Sequence, residues 1–204
     1  MNNIFENALV NYFSAENLKK IQSVKIGIAG LGGLGSNCAM NLVRCGFKNF
    51  ILCDFDKIEP SNLNRQFYFA DQLGKYKAEA LSENLRKINP SIEISAQIIM
   101  LTQANMPDIF NSCNAIVEAF DKAEMKTQFA NVFINSNRFC VSASGLAGWG
   151  NSDKIVTKKI RENYYLIGDL VAEAGSDRPP CSPRVNIAAA KEADVILAWV
   201  LGSL

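Results

Sequence analysis

The sequence predicts an α/β protein with a Rossmann-like, mostly parallel sheet, flanking helices and a C-terminal antiparallel hairpin. Three observations predict this fold. A short apolar run at 24–29 leads into a glycine-rich turn with the spacing G-x-G-x-x-G at 30–35. A helical pattern follows the turn, and a second apolar run at 50–53 ends at Asp54. Strand, glycine turn, helix, strand and acid in this order are typical of a mononucleotide-binding unit.

The glycine-rich turn is a candidate phosphate-binding site. Its glycines let the backbone approach a phosphate, and the start of the following helix offers free N–H groups to it. Asp54 is placed to accept hydrogen bonds from ribose hydroxyls. The motif leaves the nucleotide open, because NAD, FAD, S-adenosylmethionine and ATP are all compatible with it.

Length, composition and charge narrow the class of protein. The chain has 204 residues, of which 49% are hydrophobic and 20% charged, as expected for a single domain spanning residues 1–204. The net charge of +1 provides no basic field, so we expect no nucleic-acid partner. The apolar runs are shorter than a membrane span, so we expect no membrane association.

The chain contains no histidine, which removes Ser-His-Asp and Cys-His catalysis, histidine-ligated metals and a histidine proton shuttle. Its six cysteines form no C-x-x-C pair and mostly lie in apolar segments. We therefore expect free thiols in a reducing cytoplasm and no zinc site. The chemistry must then use carboxylates, Lys and Arg charges, backbone dipoles, a thiol or a bound cation.

The remaining elements follow from apolar periodicity and from turn residues. Residues 4–21 are predicted as one amphipathic helix within an N-terminal segment, 1–23, that packs or dimerises. Further helices are predicted at 75–88, 105–112, 122–136 and 185–201, strands at 92–99, 115–119 and 139–144, and the hairpin at 154–160 and 164–167. The loop 168–184 is rich in Gly, Pro, Ser and Asp, and we expect it to be a mobile cover over the crevice.

Several polar residues follow predicted strands and should converge at one edge of the sheet. In open α/β sheets, ligands bind at the carboxyl ends of the strands. Asp54 and Asp56, the polar segment 55–74, Asp121 and Ser144 all lie at such ends. A loop as long as 55–74 is usually functional in a compact domain.

Cations in this region indicate a polyphosphate. Arg65 stands beside Asn62 and Gln66, which favours phosphate contact over simple solvation. Lys75 and Lys77 are predicted in the first turn of the next helix. A cation there is repelled by the helix dipole, at a free-energy cost of a few tenths to about 1 kcal/mol for each lysine. We expect Lys75 to extend into water and Lys77 to hold a phosphate. Two localised cations and a helix N-terminus suit a triphosphate better than a dinucleotide.

Asp121 follows the predicted strand at 115–119 and is a candidate Mg²⁺ ligand. The alternative is a plain N-cap for the helix at 122–136. The two roles are compatible.

These motifs together resemble one family. GLGGLGS, CDFDKIEPSNLNRQ, GKYK and VEAFD, in this order, are similar to motifs of the ThiF/MoeB/HesA adenylyltransferases, bacterial relatives of the ubiquitin-activating enzymes. The resemblance covers essentially the whole chain from Val24. With PRVNIAAA at 183–190 it is especially similar to short ThiF proteins of thiamine biosynthesis.

The resemblance implies a reaction. The family binds Mg-ATP and the Gly-Gly C-terminus of a small β-grasp protein, and the terminal carboxylate attacks the α-phosphate to give an acyl-adenylate and pyrophosphate. For ThiF the acceptor is ThiS, a sulfur carrier used in thiazole synthesis. A homodimer is the implied assembly. The attacking carboxylate is ionised at pH 7 and needs no base, so fixed cations and positioning suffice without histidine.

The resemblance also implies individual roles. Gly30, Gly32, Gly33 and Gly35 would form the phosphate turn, and Asp54 would bind ribose. Asn62, Arg65 and Lys77 would contact the phosphates, Gln66 would support them, and Asp121 would take Mg²⁺. Arg65, Lys77 and Asp121 are thus the expected catalytic residues, and Asp56 is grouped with the nucleotide-binding residues.

Two departures from the family pattern matter. Longer members carry two C-x-x-C zinc pairs, which are absent here, and many members supply an N-terminal Arg from the partner subunit, whereas the first Arg here is Arg44. Some relatives place a reactive cysteine in the loop that corresponds to 168–184. Cys181, between Arg178 and Arg184, is therefore a candidate reactive thiol, with an incidental loop cysteine as the simpler interpretation.

Three alternatives remain. The missing N-terminal Arg favours a non-catalytic scaffold that binds the carrier. The glycine motif and Asp54 alone also fit an NAD-dependent oxidoreductase, although the absent histidine and the Arg65–Lys77 pair argue against it. A modified tRNA base is a conceivable substrate, but the chain lacks a basic field.

Overall fold

A seven-stranded sheet forms the centre of the protein in a computed structural model that describes residues 3–172 and 174–204. The strands are β1 (Lys25–Ala29), β2 (Asn49–Cys53), β3 (Glu93–Gln97), β4 (Ala115–Glu118), β5 (Phe139–Ala143), β6 (Val156–Arg161) and β7 (Tyr164–Gly168). Their order is β3-β2-β1-β4-β5-β7-β6; β6 and β7 are antiparallel, and the other neighbouring strands are parallel. The predicted Rossmann-like sheet with a C-terminal antiparallel hairpin is therefore confirmed.

Helices pack on both faces of this sheet. They are α1 (Ile4–Leu9), α2 (Ala15–Ser23), α3 (Gly33–Arg44), α4 (Lys77–Ile88), α5 (Met106–Ile109), α6 (Ala123–Phe133) and α7 (Ser182–Leu201). Val117 of β4 shares a core cluster with residues of α3, α4 and α7, whereas its neighbour Ile116 shares a second cluster with Phe129 of α6. Because successive strand residues point to opposite faces, the two clusters cover opposite faces of the sheet.

The strand order fixes where a ligand can bind. Strands β2 and β3 follow β1 on one side of it, and β4 and β5 lie on its other side. The strand order therefore reverses between β1 and β4. The carboxyl ends of β1 and β4 meet at this reversal, which is where open α/β sheets bind ligands.

The predicted single helix at 4–21 is wrong. Two helices, α1 and α2, are separated by residues 10–14. The Ser14 side chain accepts a hydrogen bond from the Asn17 N–H and caps α2. A serine cap satisfies an otherwise unpaired N–H group, so the second helix starts afresh there. Residues 1 and 2 of the predicted segment 1–23, and residue 173 of the predicted loop 168–184, lie outside the described residues.

The prediction that Lys75 lies in the first turn of a helix is also wrong. The helix α4 begins at Lys77, and the Lys75 carbonyl instead accepts a hydrogen bond from the Ile58 N–H. The Lys75 side chain is half-exposed and pairs with Glu83 at 3.0 Å. Of the two lysines, Lys77 alone therefore opposes the dipole of α4.

Other boundaries move by a few residues. The last helix begins at Ser182 instead of 185, because Pro183 fits the first turn, where its missing N–H has no partner to lose. The polar segment 55–74 contains two single 3₁₀ turns, at Pro60–Asn62 and Ala70–Gln72. Among the described residues, no helix has both the length and the apolar character needed to cross a membrane.

A carboxyl group is buried in the core on α7. Glu192 has no solvent exposure, and neither of its side-chain oxygens has a hydrogen-bond partner among the described residues. Burial raises the pKa of Glu192 well above its usual value; the nearby Glu118 adds to this increase and Lys126 opposes it. Burial therefore favours the neutral form of this carboxyl group in the folded protein.

We expect Glu192→Gln to stabilise the protein by an amount that grows with pH. The pKa of Glu192 is higher in the folded than in the unfolded chain, so the wild type loses stability as pH rises from about 4 through the folded-state pKa. The loss is about 1.4 kcal/mol for each unit by which the pKa is raised. Urea unfolding between pH 4 and 8 measures this difference, with the exposed Glu162→Gln as control. A difference that does not change with pH would contradict the interpretation.

Candidate functional site

The glycine turn between β1 and α3 has a backbone conformation that excludes larger residues at Gly30 and Gly35. Gly30 has φ +93°, in the left-handed region, and its N–H donates to the Cys53 carbonyl at 3.0 Å. A Cβ on Gly35 would lie 1.9 Å from the Gly30 carbonyl oxygen. The α3 N-cap, Gly32, provides no side-chain cap, and the first turn has no acidic residue. The start of α3 is therefore suited to an anion.

Asp54, directly after β2, is bonded to this turn. One carboxylate oxygen accepts the Leu31 N–H at 2.7 Å, and the other accepts the Asp56 N–H at 2.8 Å. Burial raises the pKa of Asp54, while Lys77 and these two N–H groups oppose the increase. Each oxygen retains a second lone pair, so the carboxylate can still accept from a ribose hydroxyl.

Lys77 places a cation at the same edge of the sheet. Its Nζ lies 2.7 Å from Asp56 Oδ2, and its side chain is only 8% exposed although that of Asp56 is 49% exposed. The backbone N–H of Lys77 also donates to the Asp56 carbonyl. The ammonium group is thus directed towards the ends of the strands and not into solvent. Its predicted contact with a phosphate stays a prediction.

Three side chains that were not predicted as site residues connect the turn to the segment after β2. The buried Tyr68 hydroxyl lies 2.8 Å from the Leu31 carbonyl and 3.4 Å from the Lys77 carbonyl. Ser36 and Asn37, in the first half of α3, bond to the segment 65–67. Of the three, only Tyr68 could have been suspected from the sequence, because it lies in the long polar segment 55–74 that was expected to be functional.

Arg65 lies across the start of α3. A Cβ on Gly33 would lie 3.4 Å from Arg65 Cγ and 2.9 Å from Val185 Cγ1 of α7. The guanidinium group donates to the Ser61 carbonyl and to Asn64 Oδ1. The two acceptors are local, so the group can turn to a phosphate by changing its side-chain torsions alone.

The two amide residues of the segment behave differently. Asn62 is buried, and its Oδ1 accepts the Glu59 N–H, which closes the 3₁₀ turn at Pro60–Asn62. Gln66 is also buried, but its Oε1 has no hydrogen-bond partner within the described part of the chain. A Cβ on Gly32 would lie 3.8 Å from Gln66 Nε2, so this amide borders the glycine turn. A buried polar atom without a partner at the edge of a cleft suits a ligand contact.

Asp121 is exposed just beyond β4 and is not the N-cap of α6. The cap position is Lys122, whose side chain makes no capping hydrogen bond. Within residues 3–172 and 174–204, no group of three His, Cys, Asp or Glu side chains is arranged to hold a metal. Mg²⁺ is usually held by one or two carboxylates together with substrate phosphates and water. A single exposed carboxylate such as Asp121 fits that arrangement.

A second concave region lies beyond the carboxyl ends of β5 and β7. A cavity of about 560 Å³ is lined by Trp149, Lys154, Asp169, Arg178 and Arg184 among other residues. The buried Arg184 pairs with Asp169 and donates to the Gly145 and Gly150 carbonyls, so it fixes both loops of the cavity wall.

Cys181 is the N-cap residue of α7, and its thiol lies 3.5 Å from the Pro179 carbonyl. Its carbonyl accepts the N–H of Val185, the residue that contacts Gly33. A reactive role for this thiol stays a prediction.

Solved structures with this fold include nucleotide complexes. The E. coli tRNA N6-threonylcarbamoyladenosine dehydratase TcdA in complex with ATP superposes with a TM-score of 0.88 at 17% identity, over 96% of this chain and 93% of that one. E. coli MccB with ATP superposes with a TM-score of 0.70 at 22% identity, over 92% of this chain and 59% of that one. At these identities the likeness establishes the fold alone.

Curated relatives are longer proteins. Ubiquitin-like modifier-activating enzyme 5 of Xenopus laevis is 39% identical over 87 residues, which are 43% of this chain and 22% of that protein. SUMO-activating enzyme subunit 2 of Dictyostelium discoideum is 33% identical over 147 residues, 68% of this chain and 21% of that protein. The chain thus spans about a fifth of the length of these relatives.

One family model accounts for most of the chain. Residues 6–185 match the model of the ThiF family, and this range includes the glycine turn, Asp54, Lys77 and Asp121. The chain belongs to the ThiF family.

Proposed function

We propose that the protein is an ATP-dependent adenylyltransferase that activates the C-terminal Gly-Gly carboxylate of a ThiS-like sulfur carrier and releases pyrophosphate. Its pathway is then thiazole synthesis for thiamine, and its compartment the cytoplasm. The observation that carries the proposal is Lys77, a nearly buried cation held by Asp56 at the edge where the glycine turn and Asp54 lie. Membership of the ThiF family supports the reaction class.

The residues present suit a reaction without a protein base. The carrier carboxylate is ionised at neutral pH and attacks the α-phosphorus of ATP, the bond to the bridging β-phosphate oxygen breaks, and pyrophosphate leaves. The protein holds the two anions together and offsets their repulsion. Lys77, Arg65 and the N–H groups at the start of α3 provide the positive charge, while Asp54 orients the ribose.

Asp121 is the residue proposed to hold Mg²⁺. When bound, the metal neutralises charge on the phosphates and orients them. The exposed carboxylate of Asp121 supports this assignment, because a nucleotide and water can complete the coordination.

The cavity beside β5 and β7 offers room for the carrier tail. Val185 lies against Gly33 at the glycine turn, and Arg184, the preceding residue, lines the cavity. An extended tail in the cavity would therefore end near the phosphates.

A homodimer and a single domain over residues 1–204 are part of the proposal. Ile4 and Tyr12, in the N-terminal helical region, are 84% and 83% exposed, which supports an association surface there.

Cys181, the N-cap residue of α7, is proposed as a reactive thiol.

Relatives with this fold differ in their acceptors. The names of two of them refer to ubiquitin-like modifiers and to a modified tRNA base, and MccB has been crystallised with MccA. The experiment must therefore vary the acceptor as well as the nucleotide.

We expect exchange of radiolabelled pyrophosphate into ATP when Mg-ATP and a Gly-Gly-ended carrier are both present. Reversal of carrier adenylylation returns the label to ATP, so exchange requires the acceptor carboxylate. A carrier without its last glycine and tRNA bearing N6-threonylcarbamoyladenosine are the comparison acceptors. An absence of exchange with every cognate carrier would refute the proposed adenylylation. Carrier binding without exchange would then support the scaffold alternative, and an absence of binding would refute that alternative too.

We expect Arg65→Ala and Asp121→Ala each to lower the exchange rate about a hundredfold or more, the usual effect of removing one charge-stabilising group. The exposed Arg161→Ala and Asp108→Ala are matched controls and should retain wild-type rates. Exchange that survives both site variants would overturn the site assignment while leaving the reaction class standing.

We expect Lys77→Met to weaken ATP binding about ten- to a hundredfold, because a charge-assisted hydrogen bond contributes about 1.5–3 kcal/mol. AMP binding should change less, since its single phosphate leaves fewer contacts to lose. Isothermal titration calorimetry measures both affinities, and NAD replaces ATP in a parallel titration. The control is Lys75→Met, whose parent side chain pairs with Glu83. Equal affinities for Lys77→Met and wild type would contradict the role of Lys77.

A further inference from the structure

An ion pair joins the ends of the two strands next to the nucleotide site. Glu118, the last residue of β4, is 1% exposed. Lys126 of α6 places its Nζ 2.9 and 3.2 Å from the two Glu118 oxygens. The same ammonium group donates to the carbonyl of Ala143, the last residue of β5, at 2.8 Å. One side chain therefore connects both strand ends.

The Glu118 carboxylate also fixes the turn that leads to Asp121. Its Oε1 accepts the Phe120 N–H at 2.8 Å. The preceding N–H, that of Ala119, donates to the Ala29 carbonyl at the end of β1. The Ala119 carbonyl lies 2.9 Å from where a Cβ on Gly30 would be, so this turn packs directly on the glycine turn.

Further polar groups complete the network on the same side of the sheet. Ser142, the register partner of Glu118 on β5, places its hydroxyl 2.7 Å from the Tyr164 hydroxyl. Desolvation makes a buried pair of this kind a weak source of stability, since apolar replacements are often neutral or stabilising. Its bonds fix the geometry of three backbone segments, and this positional effect explains the pair better than stability does.

We propose that Lys126 and Glu118 are positioning residues that set the distance from Asp121 to the glycine turn and to the loop after β5. This inference rests on the proposed function, in which Asp121 holds Mg²⁺ on the phosphates of ATP. Neither residue contacts the nucleotide; both act through the turn 119–121. The pair thereby determines how well the protein distinguishes Mg-ATP from metal-free ATP.

Calorimetry with Lys126→Met tests the proposal without relying on catalysis. ATP is titrated once with excess Mg²⁺ and once with EDTA. We expect affinity for Mg-ATP to fall five- to twentyfold and affinity for metal-free ATP to stay within twofold, because Asp54 and the glycine turn are unchanged. Lys126→Arg retains the charge and the donors, and should restore Mg-ATP affinity to within threefold of wild type. Lys75→Met is the control for loss of a lysine.

A double-mutant cycle tests whether the effect passes through Asp121. Lys126→Met should cause no further loss of Mg-ATP affinity in an Asp121→Asn background. The paired variant Glu118→Gln/Lys126→Met avoids an unpaired buried charge, and the amide oxygen that it introduces at position 118 can still accept the Phe120 N–H. We expect this variant to stay folded by circular dichroism and to show a loss of Mg-ATP affinity similar to that of Lys126→Met, because it also lacks the bond from residue 126 to the Ala143 carbonyl.

Several results would overturn the proposal. Equal losses of affinity with Mg²⁺ and with EDTA would indicate a purely structural role, as would additive effects of Lys126→Met and Asp121→Asn. A wild-type protein that binds both forms of ATP equally would remove the metal role of Asp121 and the proposal with it. Absence of pyrophosphate exchange would refute the proposed function, yet preferential binding of Mg-ATP that depends on Lys126 would still support the positioning role.

Discussion

The carboxylate of Asp54 connects parts of the chain that are distant in sequence. It accepts N–H groups from Leu31 in the glycine turn and from Asp56 after β2, and Asp56 in turn holds Lys77 at the start of α4. The carboxylate is buried, so losing either bond would leave a polar group partly unsatisfied at a substantial free-energy cost. The relative positions of the glycine turn, the segment after β2 and Lys77 all depend on this one group.

Much of the fold was predictable because its signals are local. The apolar run at 24–29, the glycine spacing and Asp54 each follow from a few neighbouring residues, and the strands and α3 lie where these patterns place them. The start of α4 was not predictable in this way. Lys57 pairs with Tyr76, and the Ile58 N–H bonds to Lys75, so backbone contacts between distant parts of the segment hold Lys75 outside the helix.

The same distinction between local signals and distant contacts applies to the site residues. The sequence predicted the glycines, Asp54 and Lys77 as site residues. In the structure Asp54 bonds to the glycine turn and Lys77 pairs with Asp56, and their roles in nucleotide binding stay predictions. Tyr68, Glu118 and Lys126 escaped sequence reasoning because their partners lie on other elements. Their hydrogen bonds join residues of different elements in the folded protein. Glu192 escaped it for a different reason, since an acidic residue in a long helix is normally assigned to the exposed face.

The two tryptophans occupy contrasting positions. Trp199 on α7 is stacked on Phe139, with ring centroids 4.6 Å apart and an angle of 11° between the rings, so its surroundings change only if the core does. Trp149 is 70% exposed and lines the cavity beside β5 and β7. Its emission therefore reports on occupancy of that cavity against a nearly constant background from Trp199. The protein thus carries an intrinsic fluorescent probe of this cavity that needs no label.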